Sequence, residues 1–186
     1  MTRRSNAQGR RTVAAVEEAA LDLAKDLPFE EITVALICRR AGISERVFFN
    51  HFVVREDAFL GRDRPHVDEA WAEQYVSNPS IPLITGAARL INLPAVEAST
   101  RQLRTELTAR NPALLSRAYT ILIPVREECV QLVAQALETR NPRLTVNGRA
   151  AAARVIVGAA SELIQASDGD LAATADALSG LRSQLL

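Results

Sequence analysis

The sequence has very few of the residues that build metal sites and disulfide frameworks. Its 186 residues include two cysteines and two histidines. Cys38 and Cys129 lie far apart and form no CxxC pair, so we expect neither a disulfide framework nor a zinc site, and a reducing, cytoplasmic compartment suits both thiols. His66 has no histidine or cysteine partner at ligand spacing, which argues against a bound metal. No cofactor is expected.

Long apolar runs and catalytic motifs are also missing. No stretch of about eighteen apolar residues occurs, and the N-terminus is polar and arginine-bearing, without the apolar segment of a signal peptide. We therefore expect neither membrane insertion nor export. The sequence contains no GxSxG, HExxH, phosphate-binding loop or dinucleotide fingerprint, and the neighbouring Glu127 and Glu128 point to different sides of a helix. An enzyme is not expected.

Charge of one sign is not in excess, since 22 basic and 22 acidic side chains cancel. A hydrophobic content of 48% is enough for a buried core. Few stretches favour alternating β-branched residues, so the composition predicts an all-α fold of about nine helices. The length favours two domains, a small one over residues 1–60 and a larger helical one over residues 61–186.

Residues 33–52 are the most informative segment, because they predict two short helices joined by a tight turn. Thr33 precedes an apolar-periodic run and is predicted to cap the first helix. Gly42 can adopt the left-handed conformation that ends a helix, and Ser44 can cap the next one. The alternative is an ordinary helical hairpin, a motif of many all-α proteins.

The second helix, of about eight residues, is predicted to present one face outward. Its inward positions are Val47, Phe48 and Phe52. A helix exposed in this way suits the major groove of DNA. The outward positions are Ser44, Glu45, Arg46, Phe49, Asn50 and His51.

Residues from about Arg10 to Leu60 resemble the DNA-binding domain of the tetracycline-repressor (TetR) family. The resemblance rests on Phe29 and Ile32 before Thr33, on Ala41-Gly42-Ile43-Ser44, on Phe48-Phe49-Asn50-His51-Phe52 and on Arg55-Glu56-Asp57-Ala58-Phe59-Leu60. It implies a helix-turn-helix domain in a homodimer that binds a palindromic double-stranded operator. It also implies a larger helical domain whose small-molecule effector shifts the separation of the recognition helices.

Two positions depart from the family pattern. Val47 stands where the family usually has threonine or serine, and Phe49 stands where it usually has tyrosine, so two hydroxyls that commonly bond phosphates are lost. Arg55 replaces a lysine and keeps a cation that can meet a phosphate. These departures leave open an alternative, a helical scaffold or partner-binding protein that has lost DNA binding.

The predicted DNA contacts follow from the chemistry of base edges. Arg46 can bond guanine O6 and N7, Asn50 can pair with adenine, and Glu45 can accept from cytosine N4 or form a salt bridge that orients Arg46. The resemblance assigns His51 to the phosphate backbone. The remaining predicted contacts are Arg10, Arg11, Thr33, Ser44, Val47, Phe49 and Arg55.

An N-terminal arm is predicted to add positive charge. Arg3, Arg4, Arg10 and Arg11 have no acidic residue among them, whereas the acidic residues between 17 and 31 belong to the first helix and its exit. The arm is expected to release counterions from DNA, and the alternative is a solvated terminus.

The rest of the chain predicts further helices over 65–76, 83–92, 95–110 and 113–139, with Pro124 either kinking the last one or separating two. Effector binding is predicted between these helices, and the scarcity of charge on their apolar stripes favours a hydrophobic, uncharged molecule. The alternative for each wall residue is plain core, because residues at helical spacing more often fill the interior of a helical domain. The predicted wall residues are Trp71, Tyr75, Leu103, Leu107, Tyr119, Leu122 and Ile123.

Two C-terminal helices, over 149–166 and 170–186, combine small residues with apolar ones on more than one face. Such helices need neighbours on two sides, which predicts a homodimer interface, with an intramolecular core as the alternative. A twofold pair would set its recognition helices about 34–36 Å apart on DNA. The predicted interface residues are Val155, Ile156, Ala159, Leu163, Leu178 and Leu181.

Overall fold

The computed structural model describes the backbone of residues 2–166 and the side chains of residues 7–164. The predicted all-α class is confirmed, with nine α-helices in this part of the chain. The helices are α1 (Thr2–Asp26), α2 (Val34–Ala41), α3 (Glu45–Phe49), α4 (Glu56–Leu60), α5 (Glu69–Ser77), α6 (Leu83–Ala88), α7 (Ala98–Arg110), α8 (Pro112–Arg140) and α9 (Val146–Ala166). A 3-10 turn covers Phe29–Glu31, and two short strands, β1 (His66–Val67) and β2 (Ile91–Asn92), pair antiparallel.

The chain folds as two compact units, each built from two stretches of sequence. Among the described residues, the first unit contains 2–64 together with Pro94–Ile121, and the second contains Pro65–Leu93 together with 122–166. The segment 94–121 therefore belongs to the same unit as the N-terminal helices. The division at residue 60 stays a prediction about functional domains.

The core of the first unit is aromatic and forms where α1 packs against α2 and α4. The rings of Phe48 and Phe52 are stacked with centroids 5.1 Å apart, and Phe29 meets Phe59 edge-on at the same distance. Aromatic pairs of this kind contribute about 0.5–1.5 kcal/mol beyond their burial. This core fixes the short helices α2 and α3 from behind.

The core of the second unit forms mainly where α6 packs against α9. Tyr75 is fully buried, and its hydroxyl donates to the Leu83 carbonyl over 2.9 Å. The guanidinium of Arg140 donates to the carbonyls of Tyr75 and Asn78, which ties the end of α8 to the end of α5.

Several predicted boundaries were wrong, and local hydrogen bonding gives the reasons. The helix expected from residue 65 begins at Glu69, because the Asp68 carboxylate caps it by accepting the Trp71 N–H over 3.0 Å. The helix expected over 83–92 ends at Ala88, since Ile91–Asn92 pairs with β1. Neither strand was predicted from the sequence. Each strand has only two residues.

The N-terminal and central helices answer two further predictions. The segment predicted as an arm is helical from Thr2, so Arg3, Arg4, Arg10 and Arg11 lie within α1. Pro124 lies inside one helix, α8, and does not separate two. Within residues 2–166, no helix has the length and apolarity to cross a bilayer.

Candidate nucleic-acid interface

The turn between α2 and α3 forms as the residues predict. The Thr33 hydroxyl accepts the Leu36 N–H over 3.2 Å and so caps α2. Gly42 ends the helix in the left-handed conformation, with φ at +67°. The Ser44 hydroxyl then accepts the Val47 N–H over 3.3 Å and caps α3. Both predicted caps are confirmed, and they fix the angle at which α3 leaves α2.

The face of α3 and the turn after it is divided between core and solvent as predicted, except at His51, which was expected on the outer surface and is half-buried. Phe48 and Phe52 are buried, and Val47 is half-buried. The helix has five residues and is shorter than expected, but the chain continues in a turn in which the N–H groups of His51 and Phe52 donate to the Phe48 carbonyl, each over 2.9 Å. The side chains that remain exposed are Ser44, Glu45, Arg46, Phe49 and Asn50.

The salt bridge predicted as an alternative role for Glu45 is not seen, since the ion pairs within the described residues do not include one between Glu45 and Arg46. The Glu45 carboxylate also affects Cys38, behind the turn. Burial is the main cause that raises the pKa of this thiol, and the negative charge of Glu45 is the second. Cys38 is thus a neutral core residue at physiological pH. The Glu45 carboxylate stays available on the exposed surface.

His51 lies beside a residue that sequence reasoning did not select. Its Nδ1 atom is 3.3 Å from Nη1 of Arg62. A guanidinium can only donate, so Nδ1 must be the acceptor and a neutral His51 ring carries its proton on Nε2. The backbone N–H of Arg62 donates to the Glu17 carboxylate over 2.8 Å, which fixes this segment to α1. The pair presents one N–H donor and one cation at the same edge of the unit.

The first turns of α1 pass close to the same histidine. A Cβ placed on Gly9 would lie 3.6 Å from His51 Cε1. Arg10 and Arg11, which follow directly, are exposed. Two cations predicted from the sequence are therefore carried on the helix that passes beside His51.

Arg55 has a different environment from the one that a phosphate contact requires. Its Nη1 atom donates to the carbonyls of Ile32 and Phe29 over 2.7 and 3.2 Å, and Nη2 donates to Glu56 over 3.2 Å. The guanidinium also lies 4.2 Å from the centroid of the Phe29 ring. This geometry gives Arg55 a structural role, the attachment of the 3-10 turn to the start of α4, and its phosphate contact stays a prediction.

The local charge favours a polyanion. Residues 33–54 contain three arginines, Arg39, Arg40 and Arg46, against Glu45 alone, a formal charge of +2. All three arginines are exposed. Acidic residues of α1 are partly neutralised by their own partners, since Glu17 pairs with Arg104 at 2.7 Å and Asp22 pairs with Lys25 at 2.8 Å.

A buried charge network holds α4, and it too was missed from the sequence. Asp57 is 2% exposed and accepts two hydrogen bonds from Arg117, at 2.8 and 3.0 Å, and pairs with Arg64 at 2.7 Å. Burial alone would raise the pKa of Asp57, but the hydrogen bonds from Arg117 and Arg64 outweigh it and hold the pKa below its ordinary value. The signal was a carboxylate placed directly before the apolar run Ala58-Phe59-Leu60.

The seven predicted effector-wall residues are distributed over both units. Trp71 and Tyr75 belong to the core of the second unit, where Trp71 Nε1 donates to the Gly86 carbonyl over 2.9 Å. Leu103 and Leu107 belong to the first unit. Tyr119, Leu122 and Ile123 are exposed on α8.

A cleft of about 580 Å³ opens in the first unit between α1 and the segment that leads into α7. Of the seven predicted wall residues, Leu103 lines it. Five carboxylates and two cations line the same cleft, so its walls do not match the uncharged, hydrophobic effector that we expected. The charged lining residues are Glu17, Glu18, Asp22, Asp63, Glu97, Lys25 and Arg104.

The predicted dimer interface is described in part. Val155 is 72% exposed on α9, Ile156 and Ala159 are half-buried, and Leu163 is buried in the core of the second unit. Leu178 and Leu181 lie outside the described residues. The exposed Val155 is the clearest candidate for a contact with a second copy, and the interface stays a prediction.

Comparisons with protein-family profiles and with curated proteins find no match to this chain.

Proposed function

We propose that this chain is a homodimeric, sequence-specific DNA-binding transcriptional regulator of the TetR type, a repressor that a small molecule releases from a palindromic operator. One observation carries the proposal, the outward presentation of Arg46 on the capped helix α3 and of Asn50 directly after it, while Phe48 and Phe52 are buried on the opposite side. Polar side chains on a rigidly held helix are what base-edge recognition in the major groove requires.

The surroundings of α3 support the same function. Arg10, Arg11, Arg39 and Arg40 are exposed, and the pair of His51 and Arg62 adds further donors. Neutralising phosphates with such cations supplies the salt-dependent part of DNA affinity. Base contacts then come from Arg46 with guanine, Asn50 with adenine and Glu45 with cytosine.

The dimer and the effector belong to the proposal as well. The large exposure of Val155, on a helix rich in small residues, supports contact with a second copy of α9. A twofold pair of α3 helices would read two half-sites in successive major grooves. The effector would act by shifting the population toward a spacing of the two helices that no longer fits the operator.

A second function, a helical scaffold that binds no DNA, has its own supporting observation. Val47 and Phe49 lack hydroxyls, and the Arg55 guanidinium donates to backbone carbonyls. Three positions that resemble phosphate contacts of the family thus carry no exposed donor suited to that role. A scaffold protein would have the same helical fold and would bind a partner other than DNA.

Selection from a library of randomised DNA duplexes by the full chain separates the two functions. The regulator is expected to enrich a sequence with twofold symmetry and to bind it with an affinity that falls steeply as salt rises. A matched library of single strands is the control. Recovery of no preferred duplex, with equal weak retention of all sequences, would favour the scaffold.

A further inference from the structure

Phe49 is a large apolar side chain held in the open at the centre of the proposed DNA-reading surface. It is 55% exposed, although the preceding residue, Phe48, is completely buried. The two rings meet edge-on, with centroids 5.3 Å apart and an interplanar angle of 83°. Phe48 also stacks on Phe52, so the aromatic core of the first unit holds the ring against which Phe49 packs.

The neighbours of Phe49 are the residues proposed to read bases. Arg46 precedes it by three positions, which places both on one helical face, and Asn50 follows it directly. Arg46 and Asn50 are both exposed. A duplex that meets these two side chains therefore meets the phenyl ring as well.

The chemistry of a phenyl ring limits what it can recognise there. It has no hydroxyl, so it can bond neither a phosphate nor a polar base edge. It can contact an apolar group, and the apolar group that the major groove presents is the C5-methyl of thymine. The formal charge of +2 on residues 33–54 makes a nucleic acid a suitable occupant of this surface.

We infer that Phe49 is a specificity-determining residue that reads thymine through its C5-methyl group. This inference rests on the proposed DNA-binding function. Burying one methyl group is worth about fourfold in affinity, so a twofold dimer that makes the contact in both half-sites gains about sixteenfold.

Deoxyuridine tests this contact, because it differs from thymidine only by the missing methyl group. The full chain and its Phe49→Ala variant are titrated against a selected duplex and against versions with one thymidine per half-site replaced by deoxyuridine. When the replaced thymidine is the one that Phe49 contacts, the affinity of the parent is expected to fall about fourfold per substituted half-site. Phe49→Ala is expected to bind both duplexes equally, and Phe49→Tyr, which keeps the ring, is expected to lose affinity as the parent does.

The possible outcomes distinguish this inference from the function beneath it. A selected duplex whose binding is insensitive to deoxyuridine at every thymidine would overturn the methyl contact and leave sequence-specific binding intact. The same follows if Phe49→Ala keeps the full loss, since another residue would then read the methyl. If no duplex is bound selectively, the proposed function fails and the inference fails with it.

Discussion

Replacing Arg55 with alanine separates two roles that the sequence and the structure assign to the same residue. The substitution removes the hydrogen bonds from Nη1 to the carbonyls of Phe29 and Ile32 and the contact with the Phe29 ring. A hydrogen bond from a charged donor contributes about 1.5–3 kcal/mol, and a cation–π contact at an exposed site about 0.5–1 kcal/mol. Because the Arg55 side chain is 22% exposed, water compensates part of the loss. We expect the free energy of unfolding to fall by about 2–3 kcal/mol.

Urea denaturation followed by far-ultraviolet circular dichroism measures this change. Arg55→Lys keeps the charge but loses the planar fork, so its loss should fall between those of the parent and the alanine variant. Arg46→Ala is the matched control, because it removes an exposed arginine and should change stability by no more than about 0.5 kcal/mol.

DNA binding gives the second half of the test. At a temperature where the parent and Arg55→Ala are both folded, the variant should keep the base preference and the salt dependence of the parent. The reasoning is refuted if Arg55→Ala unfolds like the parent while its salt slope falls by about one, the signature of a lost phosphate contact. Arg55 would then be the phosphate-binding cation expected from the sequence.

Three further predictions concern the turn, the buried carboxylate and the dimer. Gly42→Ala should cost about 1–2 kcal/mol in urea denaturation, because its φ is +67° while a Cβ there meets nothing within 4 Å, so the cost is backbone strain alone. Gly42→Asn should cost less, since asparagine tolerates that conformation. Asp57→Asn should lose about 2–3 kcal/mol at neutral pH, below the range for fully buried pairs because its arginine partners are partly exposed. Since the pKa of Asp57 is lowered in the folded state, the gap between parent and variant should be full above the ordinary value of 3.8 and disappear as pH falls through the folded-state pKa. An absence of any gap at neutral pH would contradict this. Val155→Glu should yield a monomer in analytical ultracentrifugation, whereas Val146→Glu, equally exposed on the same helix, should not; a Val155→Glu dimer would remove this interface.

Local chemistry explains which parts of the fold could be predicted. The caps at Thr33 and Ser44 and the left-handed Gly42 depend on residues within three positions of each other, so the pattern contains all that determines them. The inward positions Phe48 and Phe52 follow from helical spacing in the same way.

Long-range contacts explain what could not be predicted. The Asp57 network joins positions 60 residues apart, and the inward turn of Arg55 depends on carbonyls 23 and 26 residues before it. Nothing in the sequence places the carbonyls of Phe29 and Ile32 near that guanidinium. The chemical type of a cation predicts an ion pair or a phosphate equally well, and tertiary structure decides between them.

The base profile of Arg46→Ala tests most directly whether α3 reads DNA. Affinities of the parent, Arg46→Ala and Arg126→Ala are measured on a selected duplex and on every single-base variant of one half-site. Arg126, an exposed arginine of the second unit, controls for the loss of one positive charge. We expect Arg46→Ala to lose about 1–3 kcal/mol of discrimination at one base pair and Arg126→Ala to keep the parent's profile. An unchanged profile for Arg46→Ala would contradict the assignment of α3 as the reading helix.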